Sequence, residues 1–185
     1  MGSLTREQIS IITGCLLGDG AMRCKINALL EINHSLEQKC YVDWKYSKLR
    51  NLVGTPPKAR DGNEGRVAYR FTTLSLPVLT EIYHQFFVSG KKVIPEQLHL
   101  DSLSLAVWFM DDGCKSYRAV YFNTQKFDME SQLRLISLFD TEFGLKLTLN
   151  RDKTYYRLRM SVASVEEFCK LIKPHMIPQL LYKLP

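Results

Sequence analysis

The apolar positions of this 185-residue chain fall into two series that repeat each other. The first opens on Ile11-Ile12-Thr13-Gly14-Cys15-Leu16-Leu17-Gly18-Asp19-Gly20. It predicts a helix over Leu4–Asp19, with Thr5 as N-cap and Glu7 and Gln8 in its first turn. Met22–Ser35 contains Ala28-Leu29-Leu30-Glu31-Ile32-Asn33-His34 and reads as a hairpin turning near Lys25–Asn27. Tyr41, Trp44, Leu49 and Val53 recur at helical spacing, so Leu36–Val53 reads as a second helix. Gly54-Thr55-Pro56-Pro57 stops it, because proline cannot continue a helix. A second hairpin follows over Lys58–Thr73 around Asp61-Gly62-Asn63-Glu64-Gly65. In its return strand Val67, Tyr69 and Phe71 share one face, and Arg66, Arg70 and Thr72 the other. Pro77–Phe87 is a third helix with proline in its first turn, and Ser89–Leu103 reads as a polar connector.

The same order then returns. Leu103–Asp112 reads as a helix, Tyr117–Gln125 as a strand region, and Met129–Phe143 as a helix carrying Leu133, Leu135, Ile136 and Phe139. Lys146–Asn150 and Tyr155–Met160 read as strands around Arg151-Asp152-Lys153, and Val165–Ile172 as a helix ended before Pro174. Local echoes support a duplication: Tyr69-Arg70-Phe71 with Tyr156-Arg157-Leu158, and Ile94-Pro95 with Ile177-Pro178. The expected fold is α+β, with duplicated αββαββα halves over 1–90 and 103–185 joined by a linker at 91–102. Its two antiparallel sheets form a saddle, and the motif helices lie at the centre.

The two apolar helices that lead these halves end alike, in Asp19-Gly20 and Asp112-Gly113, ninety-three residues apart. Each glycine is expected to stop its helix in the left-handed conformation. Packed together, the helices bring two aspartates to two helix C-termini, which already carry partial negative charge. Such a site repels itself unless cations fill it, and oxygen-only ligands suit Mg²⁺, Mn²⁺ or Ca²⁺ rather than zinc. Close approach is expected from the first helix alone. It has Gly14 and Gly18 where the second has Val107 and Asp111.

Charge changes the picture of the sheets. The chain has 25 Lys and Arg against 19 Asp and Glu, a net +6. Arg157, Arg159 and Tyr155 share one strand face opposite Tyr156, Leu158 and Met160, while Lys146, Thr148 and Asn150 oppose Leu147 and Leu149. One face is thus apolar and helix-covered, the other basic and hydrogen-bonding. Such a face suits duplex DNA, contacting phosphates with Lys and Arg and base edges with Arg, Asn and Gln. The expected contacts in the first half are Arg23, Lys25, Arg60, Arg66 and Arg70. In the second half they are Arg118, Asn123, Lys146, Thr148, Asn150, Arg151, Lys153, Arg157 and Arg159. The cysteines are five and form no CxxC pair, which excludes a disulfide framework or zinc site and suits an intracellular protein. No apolar run is long enough to span a membrane. The histidines (His34, His84, His99, His175) fit no metal spacing, and Trp44 and Trp108 read as core.

Leu16-Leu17-Gly18-Asp19-Gly20 and Trp108-Phe109-Met110-Asp111-Asp112-Gly113 resemble the two motifs of the monomeric branch of the LAGLIDADG homing endonucleases. Phe122-Asn123-Thr124-Gln125 and the tail from Leu171 to Pro185 are similar to the same branch. The resemblance covers essentially the whole chain. It implies a monomer that cuts both strands of a long duplex DNA target, with Asp19 and Asp112 as metal ligands and the carbonyls of Gly18 and Asp111 helping. It further implies basic residues near the scissile phosphates at Lys92 and Lys183, and Gln125 as a weaker candidate for positioning water or metal. The implied cofactor is Mg²⁺, with Mn²⁺ able to substitute and Ca²⁺ binding without cleavage. An alternative within the same fold is a nuclease-inactive maturase that binds intron RNA. A DNA-binding regulator is a further rival. The resemblance places the protein in an organelle (mitochondrion or chloroplast) or a prokaryotic cytoplasm.

Overall fold

The computed structural model describes residues 3–62 and 65–185. Residues 1, 2, 63 and 64 lie outside the described residues, among them the middle of the turn expected at Asp61–Gly65. Helix α1 (Arg6–Leu17) starts where a capping box allows: Gln8 N donates to Thr5 Oγ1 and Thr5 N donates to Gln8 Oε1, both at 3.2 Å. Strands β1 (Ala21–Cys24) and β2 (Ala28–Ser35), helix α2 (Lys39–Lys48), strands β3 (Lys58–Asp61) and β4 (Val67–Thr72) and helix α3 (Pro77–Phe86) complete the first half. After a short hairpin of β5 (Phe87–Val88) and β6 (Lys91–Lys92) comes α4 (Ser102–Asp112), which opens the second half. There follow β7 (Gly113–Ser116), β8 (Ala119–Phe122), α5 (Met129–Phe143), β9 (Leu147–Asp152), β10 (Tyr155–Met160) and α6 (Val162–Ile172). The two αββαββα halves form antiparallel sheets of matching order, β1-β2-β4-β3 and β7-β8-β10-β9.

Burial explains the alternation along the strands. In β4 Tyr69 and Phe71 are buried while Arg70 and Thr72 are exposed, and in β10 Leu158 and Met160 are buried beside a half-buried Arg157 and Arg159. The helices cover the apolar faces. Trp108, Phe109, Phe122, Phe139 and Phe168 pack as one aromatic cluster in the second half, with Trp108 to Phe122 at 4.4 Å between ring centroids. Trp44 is half-buried and stacks on Tyr41 in the first.

Four expectations need correction. The helix expected over Leu36–Val53 is α2 flanked by 3₁₀ turns at Leu36–Gln38 and Arg50–Leu52. The connector is not merely polar: it holds β5 and β6, turned by Ser89 and Gly90 at φ 50° and 75°, and then buries Ile94, Leu98 and Leu100. The strand region at Tyr117–Gln125 is instead the hairpin β7–β8, turned at Tyr117 (φ 54°). Strand β7 leaves α4 at Gly113 with no intervening turn residue, so the sequence carries no punctuation for it. Finally, Gly20 and Gly113 are not left-handed stops. Gly113 has φ −79°, and Gly20 is not among the positive-φ glycines. What these positions demand is the missing side chain: a Cβ would lie 2.7 Å from Cys15 O at Gly20 and 2.1 Å from Phe109 Cδ2 at Gly113.

Candidate active site

Helices α1 and α4 pack along the centre of the molecule, and the glycines of α1 set their separation. A Cβ on Gly14 would meet Ser104 O and Val107 Cβ, each at 2.6 Å; one on Gly18 would meet Asp111 Cβ at 2.4 Å. Val107 and Asp111 therefore sit in the notches left by Gly14 and Gly18, so the close approach comes from α1 alone. The packing aligns the C-terminal ends of both helices and brings Gly18, Asp19, Asp111 and Asp112 to one place.

The three aspartates differ sharply in exposure. The Asp19 side chain is 46% exposed and that of Asp112 17%, whereas that of Asp111 is fully buried. Lysines converge on the oxygens around them. Lys92 Nζ donates to Gly18 O at 3.2 Å and to Gly20 O at 2.6 Å. Lys126 Nζ donates to Gly18 O at 2.7 Å and to Asp112 Oδ2 at 2.9 Å. Lys183 Nζ donates to Met110 O at 2.5 Å and to Asp111 O at 3.1 Å. Cations at helix C-termini are favourable, yet these are crowded and desolvated. Burial and the neighbouring Lys126 charge lower the Lys92 pKa to about 8, and burial lowers that of Lys183. Burial raises the Asp112 pKa, partly offset by Lys126.

A second, buried group lies beneath. Lys45 of α2, fully buried, donates to Asp111 Oδ1 at 2.7 Å and lies 3.1 Å from His34 Nε2. Asp19 N donates to Asp111 Oδ2 at 3.2 Å, and His34 Nδ1 lies 3.7 Å from Asp19 Oδ2. Burial alone would depress the Lys45 pKa, but Asp111 and Cys15 beside it outweigh that and hold it above the usual value. Burial and the Lys45 charge together lower the pKa of His34. One ligand atom each from Asp19, His34 and Asp111 lies within 4.8 Å of the others, the spacing of a cation site. The donors along the helix ends, carboxylate oxygens of Asp19 and Asp112 and carbonyls of Gly18 and Asp111, are the hard oxygens that Mg²⁺ and Mn²⁺ take. Three of those oxygens already accept a lysine ammonium, a stand-in positive charge, so the residues fit a divalent metal.

The residues expected on DNA lie on the exposed sheet faces or the turns at their edges. In the first sheet Arg70 pairs in register with Asn33 and Lys58, and Arg60 with Ala68, so these side chains share one face. Arg66 lines a cleft of roughly 1030 Å³ on that face, which also takes in Asp19, Asn33 and Ser35. Arg23 is held by Glu31 at 2.6 Å, and Lys25 occupies the β1–β2 turn. In the second sheet Arg157 lies over the Tyr121 ring, 4.4 Å from its centroid, with Nη1 3.4 Å from Asn123 Oδ1. Arg159 pairs with Thr148 and Arg157 with Asn150, which puts the four on that same face. Arg118 is exposed in the β7–β8 turn, and Arg151 and Lys153 are exposed at the β9–β10 turn. Lys146 instead pairs with Asp140 of α5. Gln125 donates through Nε2 to Asp152 Oδ2 at 2.9 Å.

Residues 9–168 match the sequence profile of the LAGLIDADG DNA endonuclease family. The chain belongs to that family. Its structure superposes on the homing endonuclease I-WcaI bound to its DNA recognition sequence with a TM-score of 0.92, at 25% identity, covering 100% of this chain and 88% of that one. Among curated relatives, the cytochrome b mRNA maturase bI2 of Saccharomyces cerevisiae is 28% identical over 100% of this chain and 48% of its own length. A RecA protein of Mycobacterium gastri is 30% identical over 98% of this chain and 48% of its own length. The probable intron-encoded endonuclease 1 of Wickerhamomyces canadensis is 26% identical over 98% of this chain and 85% of its own length. The chain thus spans about half the length of the first two.

Within the LAGLIDADG frame, sequence reasoning placed Asp19, Asp111, Asp112, Lys92 and Lys183, and the fold brings all five together. It missed Lys126, Lys45 and His34. Lys126 follows Gln125 and carried no motif of its own. Lys45 and His34 reach the centre only through tertiary packing of α2 and β2. A lysine on the apolar stripe of α2, one turn beyond Tyr41, was the one available signal.

Proposed function

We propose that this LAGLIDADG chain is a site-specific homing endonuclease that acts as a monomer and breaks both strands of a long duplex DNA target by metal-assisted hydrolysis. The observation that carries the reading is the pair of aspartates at the ends of two glycine-packed helices, ringed by three lysines. The neighbour I-WcaI, bound to its DNA recognition sequence, supports it. Asp19 and Asp112, with the carbonyls of Gly18 and Asp111, are the residues that would hold Mg²⁺, with Mn²⁺ able to substitute. A metal held there would supply polarisation of the scissile phosphate, a more acidic water and charge neutralisation at the leaving 3′-oxygen. Lys92, Lys126 and Lys183 then exchange backbone carbonyls for phosphate oxygens and stabilise the charge that develops there. The exposed sheet faces form a saddle over the duplex and carry Arg60, Arg66, Arg70, Arg157 and Arg159 to its backbone and base edges.

A second reading, an RNA-binding maturase, is favoured by two relatives named cytochrome b mRNA maturase bI2, at 28% and 26% identity. Either activity belongs inside a cell, in an organelle or a prokaryotic cytoplasm, and among the described residues no helix is long and apolar enough to cross a membrane. Selection from a randomised duplex library, in Mg²⁺ and in parallel in Ca²⁺, separates the readings. The endonuclease gives cut ends at one long site in Mg²⁺ and bound, uncut molecules in Ca²⁺. Specific binding without cutting in Mg²⁺ favours the maturase.

A further inference from the structure

Lys45, Asp111, Asp19 and His34 close a ring in which each residue touches the next. What the ring does rests on the reading of Asp19 as a metal ligand. A lysine ammonium has three donors and no acceptor. Since Lys45 Nζ lies 3.1 Å from His34 Nε2, that nitrogen must accept, and the proton of the neutral imidazole is placed on Nδ1. Nδ1 is the nitrogen that faces Asp19 Oδ2, at 3.7 Å. The same ammonium donates to Asp111 Oδ1, leaving Oδ2 to accept Asp19 N–H. Asp19 is therefore gripped at its backbone by Asp111 and faced at its carboxylate by His34, and one buried cation orients both.

We propose that Lys45 is the positioning residue of the first acidic centre: it fixes the His34 tautomer and the Asp111 rotamer, and through them the place of Asp19. The ammonium also fills the cation role within the Asp19–His34–Asp111 cluster, so with Nδ1 protonated that trio holds no metal of its own. Among the described residues the second centre has no such ring. At the position of the first motif that faces Asp111 stands Gly18, with no side chain, and Asp112 is paired instead by Lys126, whose side chain is 37% exposed. The two halves repeat each other in fold while their acidic residues are held by different means.

A purely structural ion pair tying α2 to α4 would be replaceable by apolar side chains at little cost, and this is the alternative to exclude. Nitrogen NMR of ¹⁵N-histidine-labelled, metal-free full chain reports the tautomer directly, with His34→Gln assigning the signal. Wild type is expected to show the Nδ1–H form, and Lys45→Met to shift it toward Nε2–H. Calorimetric titration of Ca²⁺ into the protein–DNA complex is expected to show affinity at one site reduced by roughly 10–100-fold in Lys45→Met, as for lost partners behind a metal ligand. DNA affinity without divalent metal should stay at the wild-type level. Should Lys45→Met fail to fold, Lys45→Met/Asp111→Leu removes both charges and carries the same two measurements. An unchanged tautomer, or unchanged Ca²⁺ binding in a folded variant, overturns the assignment. Asp19→Asn serves as the separate control. If it leaves Ca²⁺ binding intact, the ligand reading of Asp19 fails, while the tautomer result still stands or falls on its own.

Discussion

Asp111 and Asp112 are neighbours in the chain and opposites in environment. Asp111 turns inward to a buried lysine and a backbone amide, so its carboxylate is fully committed. Asp112 turns outward to Lys126 and to solvent, and the following Gly113, which marked it in the sequence, is where the chain leaves α4. Replacing Asp19 or Asp112 by Asn should abolish double-strand cleavage and leave DNA affinity near wild type, measured on a plasmid target and by anisotropy; full cleavage by either variant sinks the metal-site assignment. Lys92 makes a pH prediction. Its folded pKa of about 8 lies below the unfolded value of 10.5, so between those values the unfolded chain binds more protons. Stability from this residue therefore rises with pH across that window, by on the order of 3 kcal/mol. Urea unfolding without metal should show wild type gaining on Lys92→Met from pH 8 to 10.5. A flat difference would mean that Lys92 is not desolvated. Asp19 and Asp112, proposed here as metal ligands, were legible because they end repeated helices; Lys45 and His34 were not, because neither periodicity nor spacing records which side chains a fold brings face to face.

At the scale of elements, the α1–α4 pair decides everything downstream, since it sets how close the two helix ends lie. Gly14→Ala would gain up to about 1 kcal/mol of helix propensity. Its methyl group, however, would lie 2.6 Å from a backbone oxygen and from Val107 Cβ, neither of which can move without parting the helices. Overpacking of that kind costs about 1–3 kcal/mol, so the clash wins. Gly18→Ala should be worse, because Asp111, 2.4 Å away, is pinned by Lys45. Thermal unfolding checks both, and Val107→Gly should recover part of the Gly14→Ala loss; a stabilised Gly14→Ala would show that the helices pack less tightly than described. The helices were readable because each buries an apolar stripe: α5 spans the expected Met129–Phe143 and ends at Gly144 with φ 66°. The short strands were less so. Two-residue strands such as β5 and β6 have no alternation to display, and β7 continues from a helix without a break.

Over the whole molecule, charge is sorted by layer. The helices cover the apolar faces of both sheets, and the arginines of β4 and β10 lie on the faces the helices leave open. A cationic face of this kind binds DNA by releasing counterions, each neutralised phosphate contributing about −0.9 to the slope of log K against log salt. Replacing Arg60, Arg66 and Arg70 together by Ala should therefore flatten that slope, by up to about 0.9 for each arginine that meets a phosphate. Lys170 offers the control. It lies on α6, paired with Glu166, in the layer that packs Phe168 against Phe122 behind the second sheet. Lys170→Ala should weaken binding little and leave the slope unchanged. The measurement is anisotropy of a labelled target duplex in Ca²⁺, from about 50 to 200 mM salt, where phosphate-dominated binding falls steeply. If the triple arginine variant keeps the wild-type slope while Lys170→Ala flattens it, the duplex lies against the helical layer and the saddle is not the DNA-binding face. If only the arginines change the slope, the open faces of the sheets carry the duplex, and Asp19 and Asp112, at the end of the helix pair between those sheets, are the carboxylates that meet its backbone.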